Sequence, residues 1–125
     1  MGKIISIFIV EDDRSLRSLY EKALNLNGYK VIASAENGLE AVNKFKNFTE
    51  KPDIILMDHR MPMKSGIEAA KEILEIDSTI KIIFVSADET IKEEALSNGA
   101  VSFKDKPFSL QRLFNNIEKA MYKIL

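Results

Sequence analysis

The 125-residue chain contains no cysteine, which removes disulfide frameworks, cysteine-ligated zinc or iron–sulfur centres and thiol catalysis from consideration. That absence suits a cytoplasmic protein. No charge of one sign dominates either: 18 Lys and Arg stand against 19 Asp and Glu, a formal net charge of -1. The basic excess that phosphate-backbone binding demands is missing, so no direct nucleic-acid partner is expected. Long hydrophobic runs are also lacking. The longest, Ile7–Val10 with Ile4 and Ile5 shortly before it, is too short to span a bilayer and carries no signal-peptide cleavage pattern, so no membrane role is expected. Neither GxxxxGK(S/T) nor GxGxxG occurs, which argues against ATP as the direct substrate.

With 46% apolar residues, the chain can bury one real core, and residues 1–125 are read as one domain. Short β-branched runs alternate with stretches in which apolar residues recur every three or four positions. The expected strands are Ile4–Val10, Tyr29–Ala33, Ile54–Met57, Lys81–Val85 and Val101–Phe103. The first, third and fourth are continuously apolar, as parallel strands covered on both faces must be, and so belong at the centre of a sheet. Lys30 in the second strand and Lys104-Asp105 after the short fifth discourage edge-to-edge pairing and place those two at the edges.

The helical stripes are Leu16, Leu19, Tyr20, Ala23 and Leu24; Leu39, Val42 and Phe45; Ile67, Ala70, Ile73 and Leu74; and Leu110, Leu113, Phe114, Ile117, Met121 and Ile124. Asn27-Gly28 and Asn98-Gly99 supply left-handed helix stops. The fourth helix, between Thr90 and Asn98, offers only Ile91, Ala95 and Leu96 and is expected to be the least firmly anchored. The fold class is therefore α/β: a five-stranded parallel sheet of order 2-1-3-4-5, doubly wound with five helices.

Ligands of such sheets bind beyond the carboxyl ends of the strands. Glu11, Asp12 and Asp13 follow strand one, Asp58 follows strand three, Ser86 follows strand four and Lys106-Pro107 follows strand five. Clustered carboxylates repel, and the usual compensation is a divalent cation with hard oxygen ligands, magnesium above all, with manganese as an alternative. An acidic cluster with one lysine and one hydroxyl reads as a phosphoryl-transfer site. Asp58 is the best-placed nucleophile, forming an aspartyl phosphate while Lys106 neutralises charge and Ser86 donates a hydrogen bond. Asp13 reads instead as a helix cap. His59, the only histidine, lacks a partner serine or cysteine in a nucleophile context and is at most a modulator. Met57, Met61 and Met63 read as packing and turn surface.

Four pieces in order carry a specific resemblance: Val10-Glu11-Asp12-Asp13, Asp53 to Asp58 with Met61-Pro62 and Gly66, Val85-Ser86-Ala87, and Lys106-Pro107-Phe108. Over essentially its whole length the chain resembles the receiver domains of the response regulators, the CheY-like family. That resemblance implies that Asp58 is the phosphoacceptor, that Asp12 binds the metal directly and that Glu11 reaches it through water. It also implies that the Arg60 backbone carbonyl completes the protein ligands, that Ser86 and Lys106 are the switch hydroxyl and active-site lysine, and that the Lys106–Pro107 peptide is cis. Two departures stand out: Glu11 replaces the more frequent Asp, and Phe103 at the switch aromatic position has no hydroxyl. Arg60 and Asp88 occupy positions that tune water access in this family and are expected to pair across the site mouth.

Two other readings fit less well. An aspartate-nucleophile phosphatase needs a second acid where Arg60 stands, and a flavin binder needs a phosphate loop where Glu11, Asp12 and Asp13 stand. The resemblance implies a stand-alone response regulator, no enzyme in the ordinary sense, though it assists its own phosphorylation and dephosphorylation. A sensor histidine kinase or histidine phosphotransfer protein would supply the phosphoryl group. A downstream protein target would read the face of helix four, strand five and helix five, and the chain itself is expected to be monomeric or weakly dimeric. No output domain follows the last helix before Leu125, so the output is expected to be another molecule; an excised receiver is the alternative.

Overall fold

The computed structural model describes residues 3–106 and 109–122. Pro107 with its expected cis peptide, Phe108 and Ile124 lie outside the described residues, as do the side chains of Lys104 and Asp105. The strands are β1 (Ser6–Val10), β2 (Lys30–Ala35), β3 (Ile54–Met57), β4 (Lys81–Ser86) and β5 (Ser102–Asp105). The helices are α1 (Arg14–Leu26), α2 (Gly38–Asn47), α3 (Gly66–Ile76), α4 (Lys92–Ser97) and α5 (Leu110–Tyr122), with a 3-10 turn at Glu89–Ile91 leading into α4. All four strand pairings are parallel and the order is β2-β1-β3-β4-β5, as the run of apolar segments requires.

Alternation along the central strands divides the core into two layers. Phe8, Val10, Ile55, Met57, Ile82 and Phe84 face Val42, Phe45, Ile73 and Ala95 of α2, α3 and α4. Ile7, Ile9, Ile54, Leu56, Ile83 and Val85 face Tyr20, Leu24, Leu113 and Ile117 of α1 and α5. Consecutive apolar residues are thus each used, one per face.

Several expectations need correction. Ile4 is exposed, and β1 starts only where Asp53 clasps Ser6. β2 continues two residues past Ala33, because Ser34 and Ala35 still pair with Ile9 and Val10. Val101 lies before β5 with its side chain exposed, and the strand runs on to Asp105 opposite Ser86. Leu19, Leu39 and Leu96 are exposed rather than buried, since each sits at the flank of its helix's sheet-facing stripe. The shortest helix is α4, where Ala95 is the one buried residue and no side chain caps the N-terminus.

Local signals fix the helix ends. Asp13, Asn37 and Ser65 each accept a backbone N–H of the first turn, and Ser65 forms a reciprocal capping box with Glu68. Gly28 (φ 90°) and Gly99 (φ 106°) are the left-handed stops that their Asn-Gly pairs announced. The free edge of β2 is covered: Asn25 accepts from the Val31 amide at 3.2 Å, and the Lys44 ammonium donates to the Ser34 carbonyl at 2.6 Å. Those contacts block the backbone groups that another strand would use.

Candidate functional site

Parallel pairing puts every strand's carboxyl end on one rim. Val10 is opposite Met57, so the next residues, Glu11 and Asp58, emerge side by side. The Asp58 amide donates to the Val10 carbonyl at 3.0 Å, and the Lys106 amide donates to the Ser86 carbonyl at 3.0 Å, which brings β5's exit beside β4's. Behind β3 the chain must turn tightly. The Gly66 amide donates to the His59 carbonyl at 2.9 Å, and a Cβ at Gly66 would lie 2.0 Å from the Asp58 carbonyl oxygen. Only glycine allows α3 to start so close to the acid.

Among the described residues, the buried polar or charged ones are Glu11 at 2%, Asp58 at 8% and Ser86 at 1% exposure, and all three are on this rim. Burial of a charge is costly without compensation, and here the compensation is partial. Lys106 Nζ lies 2.8 Å from Glu11 Oε1 and 3.7 Å from Asp58 Oδ2. Glu11 Oε2 accepts from the Asp13 amide at 3.1 Å, and Asp58 Oδ1 accepts from the His59 amide at 2.8 Å. One ammonium serves two carboxylates. Burial pushes the Glu11 carboxyl up to about 7, against the pull of Lys106. It pushes the Asp58 carboxyl above its ordinary value too, with the Lys106 charge and the His59 amide opposing.

Asp12 is exposed and completes the cluster: one carboxylate oxygen from each of Glu11, Asp12 and Asp58 can gather within 4.8 Å. An all-oxygen, triply acidic donor set with a single nearby ammonium fits magnesium, a hard cation that needs few protein ligands. Ser86 Oγ accepts from the Asp88 amide at 3.1 Å, which leaves the hydroxyl proton free to be donated elsewhere. Arg60 Nη2 is 3.2 Å from Asp88 Oδ2, so the expected pair across the mouth is formed. Thr90 holds the Asp88 carboxyl below its usual range, ahead of the Arg60 contribution. Phe103 is buried, opposite Phe84 on the neighbouring strand, in the core layer that also holds Ile91 and Ala95.

Of the residues not singled out as ligands, Asp13 caps α1 as expected, His59 contributes its backbone amide, and the His59 Nδ1 is buried with no partner among the described residues. Met57 is core, Met61 packs against it and Met63 is exposed at φ 73°. Arg17 was not foreseen. Its Nη1 donates to the Glu11 carbonyl at 2.7 Å. The available signal was a cation four residues after the capping Asp13, on the flank of an otherwise apolar stripe.

A doubly wound α/β sheet with its buried acids gathered at the carboxyl rim, next to one lysine and one hydroxyl, has the architecture of a receiver-type domain with an acidic cation pocket. Residues 7–118 match the model of the response regulator receiver domain, and the chain belongs to that family. It is 40% identical to the chemotaxis protein CheY of Thermotoga maritima, over 95% of this chain and 98% of that protein. To CheY of Bacillus subtilis it is 39% identical, over 92% and 96% respectively. A chain in the crystal structure of the CheX–CheY–BeF3–Mg complex from Borrelia burgdorferi superposes with a TM-score of 0.89 at 28% identity, covering 95% of this chain and 90% of that one. The response regulator TrrA of Thermotoga maritima, crystallised with Mg2+ and BeF, gives 0.83 at 32% identity, covering 94% and 99%. The chain is thus a CheY-like receiver domain of two-component signalling. No helix among the described residues is long and apolar enough to cross a membrane.

Proposed function

We propose that this receiver domain accepts a phosphoryl group on Asp58 from a phosphohistidine of a sensor histidine kinase or histidine phosphotransfer protein. The observation that carries the reading is the buried Asp58 carboxylate itself, with Oδ1 held by the His59 amide and Oδ2 turned toward Lys106. In the transfer, a carboxylate oxygen bonds to phosphorus as the phosphorus–nitrogen bond breaks, and the histidine leaves with the electron pair. Glu11, Asp12, Asp58 and the Arg60 backbone carbonyl would hold Mg2+, with Mn2+ able to substitute, and the ion when bound would supply positive charge beside the phosphoryl oxygens. Lys106 adds a positive charge of its own, and the Ser86 hydroxyl donates a hydrogen bond to the phosphoryl group. The domain thereby assists both its own phosphorylation and the later hydrolysis, which the Arg60–Asp88 pair slows by screening the mouth.

Ser86 moving toward the phosphoryl group leaves space for Phe103, and the face of α4, β5 and α5 changes for a downstream protein partner. The Lys106–Pro107 peptide, read as cis, sets the approach of that lysine. We read residues 1–125 as one cytoplasmic receiver domain, monomeric or weakly dimeric, with no direct nucleic-acid contact. The test is intact mass after incubation with phosphoramidate, with and without Mg2+, on wild type and Asp58→Ala. A single Mg2+-dependent phosphoryl adduct lost in the variant is the expected result. An adduct that persists in Asp58→Ala, or none on the wild type with Mg2+ bound, overturns the reading.

A further inference from the structure

We propose that Arg17 is a positioning residue for the cation site: its guanidinium fixes the peptide joining Glu11 to Asp12 and so aims the Asp12 carboxylate. This inference rests on the reading of Glu11, Asp12 and Asp58 as the cation's ligands.

Of the three acids, Glu11 and Asp58 are held directly by hydrogen bonds. Asp12 is not. Its carboxylate makes no hydrogen bond or ion pair among the described residues, and it projects from a turn rather than from a strand. Its direction therefore depends on the backbone on either side. On the far side, Asp13 is pinned by its own cap to the Leu16 amide at 3.1 Å and by the Arg17 amide, which donates to the Asp13 carbonyl at 2.9 Å. On the near side, the Glu11 amide donates to the Ala35 carbonyl at 3.0 Å. What remains is the rotation of the peptide plane between Glu11 and Asp12, because a peptide unit turns as one rigid body.

The Glu11 carbonyl belongs to that plane, and Arg17 Nη1 holds it at 2.7 Å. The Arg17 side chain is itself anchored. It is 17% exposed, and its Nη2 lies 3.8 Å from Glu36 Oε2, just beyond β2. The Glu36 contact is a weak ion pair with a largely exposed partner; the direction is fixed by the largely buried Arg17 stem and by the planar guanidinium's hydrogen bond to the Glu11 carbonyl.

The sign of the effect separates this role from a field effect. Arg17 is a cation near a cation site, so its charge alone opposes binding, and removing that charge would tighten Mg2+ affinity. Removing a positioning group loosens it.

The experiment is calorimetric titration of the unphosphorylated full chain with Mg2+, for wild type, Arg17→Met, Arg17→Lys, Asp12→Asn and the Arg17→Met/Asp12→Asn double variant. Arg17→Met is expected to raise the Mg2+ Kd roughly tenfold, the cost typical of losing a group that orients a metal ligand. Arg17→Lys, which still reaches one carbonyl, recovers most of that loss. The double variant binds no more weakly than Asp12→Asn alone, since Arg17 acts through Asp12. In phosphoramidate reactions, the Arg17→Met defect appears in the Mg2+ concentration for half-maximal rate. Unchanged or tighter Mg2+ binding by folded Arg17→Met, or additive losses in the double variant, overturns the proposal. Should Arg17→Met fail to fold, Arg17→Gln, with its shorter arm, is judged by the same titration. Wild type that binds Mg2+ but forms no phosphoryl adduct overturns the acceptor reading alone; wild type that binds no Mg2+ overturns both.

Discussion

One strand carries an aspartate at each end, and the two have opposite fates. Asp53, one residue before β3, accepts from Lys3 Nζ at 2.6 Å and from the Ser6 amide and hydroxyl at 2.8 and 3.2 Å. Although partial burial opposes it, those donors hold its carboxyl below the ordinary value. Asp58, one residue past the same strand, shares a lysine 3.7 Å away with Glu11 and sits near Asp12 as well, and its carboxyl is pushed up by burial. The same pair of residue types is a finished structural clasp at one rim and an incomplete one at the other. Chemistry resides where the fold leaves charge uncompensated, because an excess of carboxylates gains most when a cation arrives.

The largest expected effect comes from closing the space around the unfinished end. Gly66→Ala puts a methyl into the Asp58 carbonyl and is expected to cost about 3 kcal/mol in urea denaturation. Gly28→Ala at the opposite rim meets open space and pays only for its backbone angle of 90°, about 1 kcal/mol. A Gly66→Ala loss no larger than that of Gly28→Ala would break the contrast.

The two aspartates should respond with opposite signs. Asp53→Ala strips three hydrogen bonds and strands the Ser6 amide, lowering stability by about 2 kcal/mol. Asp58→Asn relieves repulsion in the Mg2+-free protein and raises stability by about 1 kcal/mol. Chemical denaturation of both variants in chelator checks the pair, and destabilisation by Asp58→Asn would remove the basis for calling that rim under-compensated.

Acid sharpens the same comparison. Folded Glu11 holds its proton up to about 7 while an unfolded glutamate releases it near 4.5, so within that window the folded state binds more protons. Stability of the metal-free protein should therefore fall as pH rises toward 7, and Mg2+ affinity should weaken as pH drops below 7, where protons compete for the site. Asp53 behaves in reverse: its depressed carboxyl contributes stability above the ordinary aspartate range that is lost as pH falls through its folded value. Denaturation and Mg2+ titration from pH 5 to 8 test the first window. Flat profiles would contradict the Glu11 assignment.

The smallest effect on stability is expected at the mouth. Arg60 is largely exposed, so Arg60→Ala should leave the denaturation midpoint unmoved while phosphorylated Asp58 hydrolyses faster, with Asp88→Ala acting in the same direction. Unchanged lifetimes in both variants would leave the pair without a role in hydrolysis.

Much of this is legible in the sequence. Three continuous apolar runs meant strands covered on both faces, and that alone fixed which strands are central. The rim acids were readable because a parallel sheet delivers every strand's next residue to one edge. Periodicity failed at the stripe margins, where Leu19, Leu39 and Leu96 are exposed, because a helical wheel gives a face but not the width of the neighbour that covers it. Apolar spacing over Thr90–Asn98 predicts a helix there without distinguishing its kind; the chain opens it with a 3-10 turn, which Asp88 caps through the Thr90 amide at 3.1 Å. The charge of Glu11 marks it in the sequence, yet its burial and its 2.8 Å contact with Lys106, 95 residues away, depend on the assembled sheet.

The sequence by itself determined the strand–helix order, the helix stops at Gly28 and Gly99, and the set of polar residues at the strand ends, because each depends on neighbours along the chain. The tertiary structure alone decided how those charges balance. Which carboxyl is pushed up, which ammonium is shared and which guanidinium holds the Glu11 carbonyl are set by distances of a few ångströms between side chains, and by a desolvation cost that exists only once the helices have packed against the sheet.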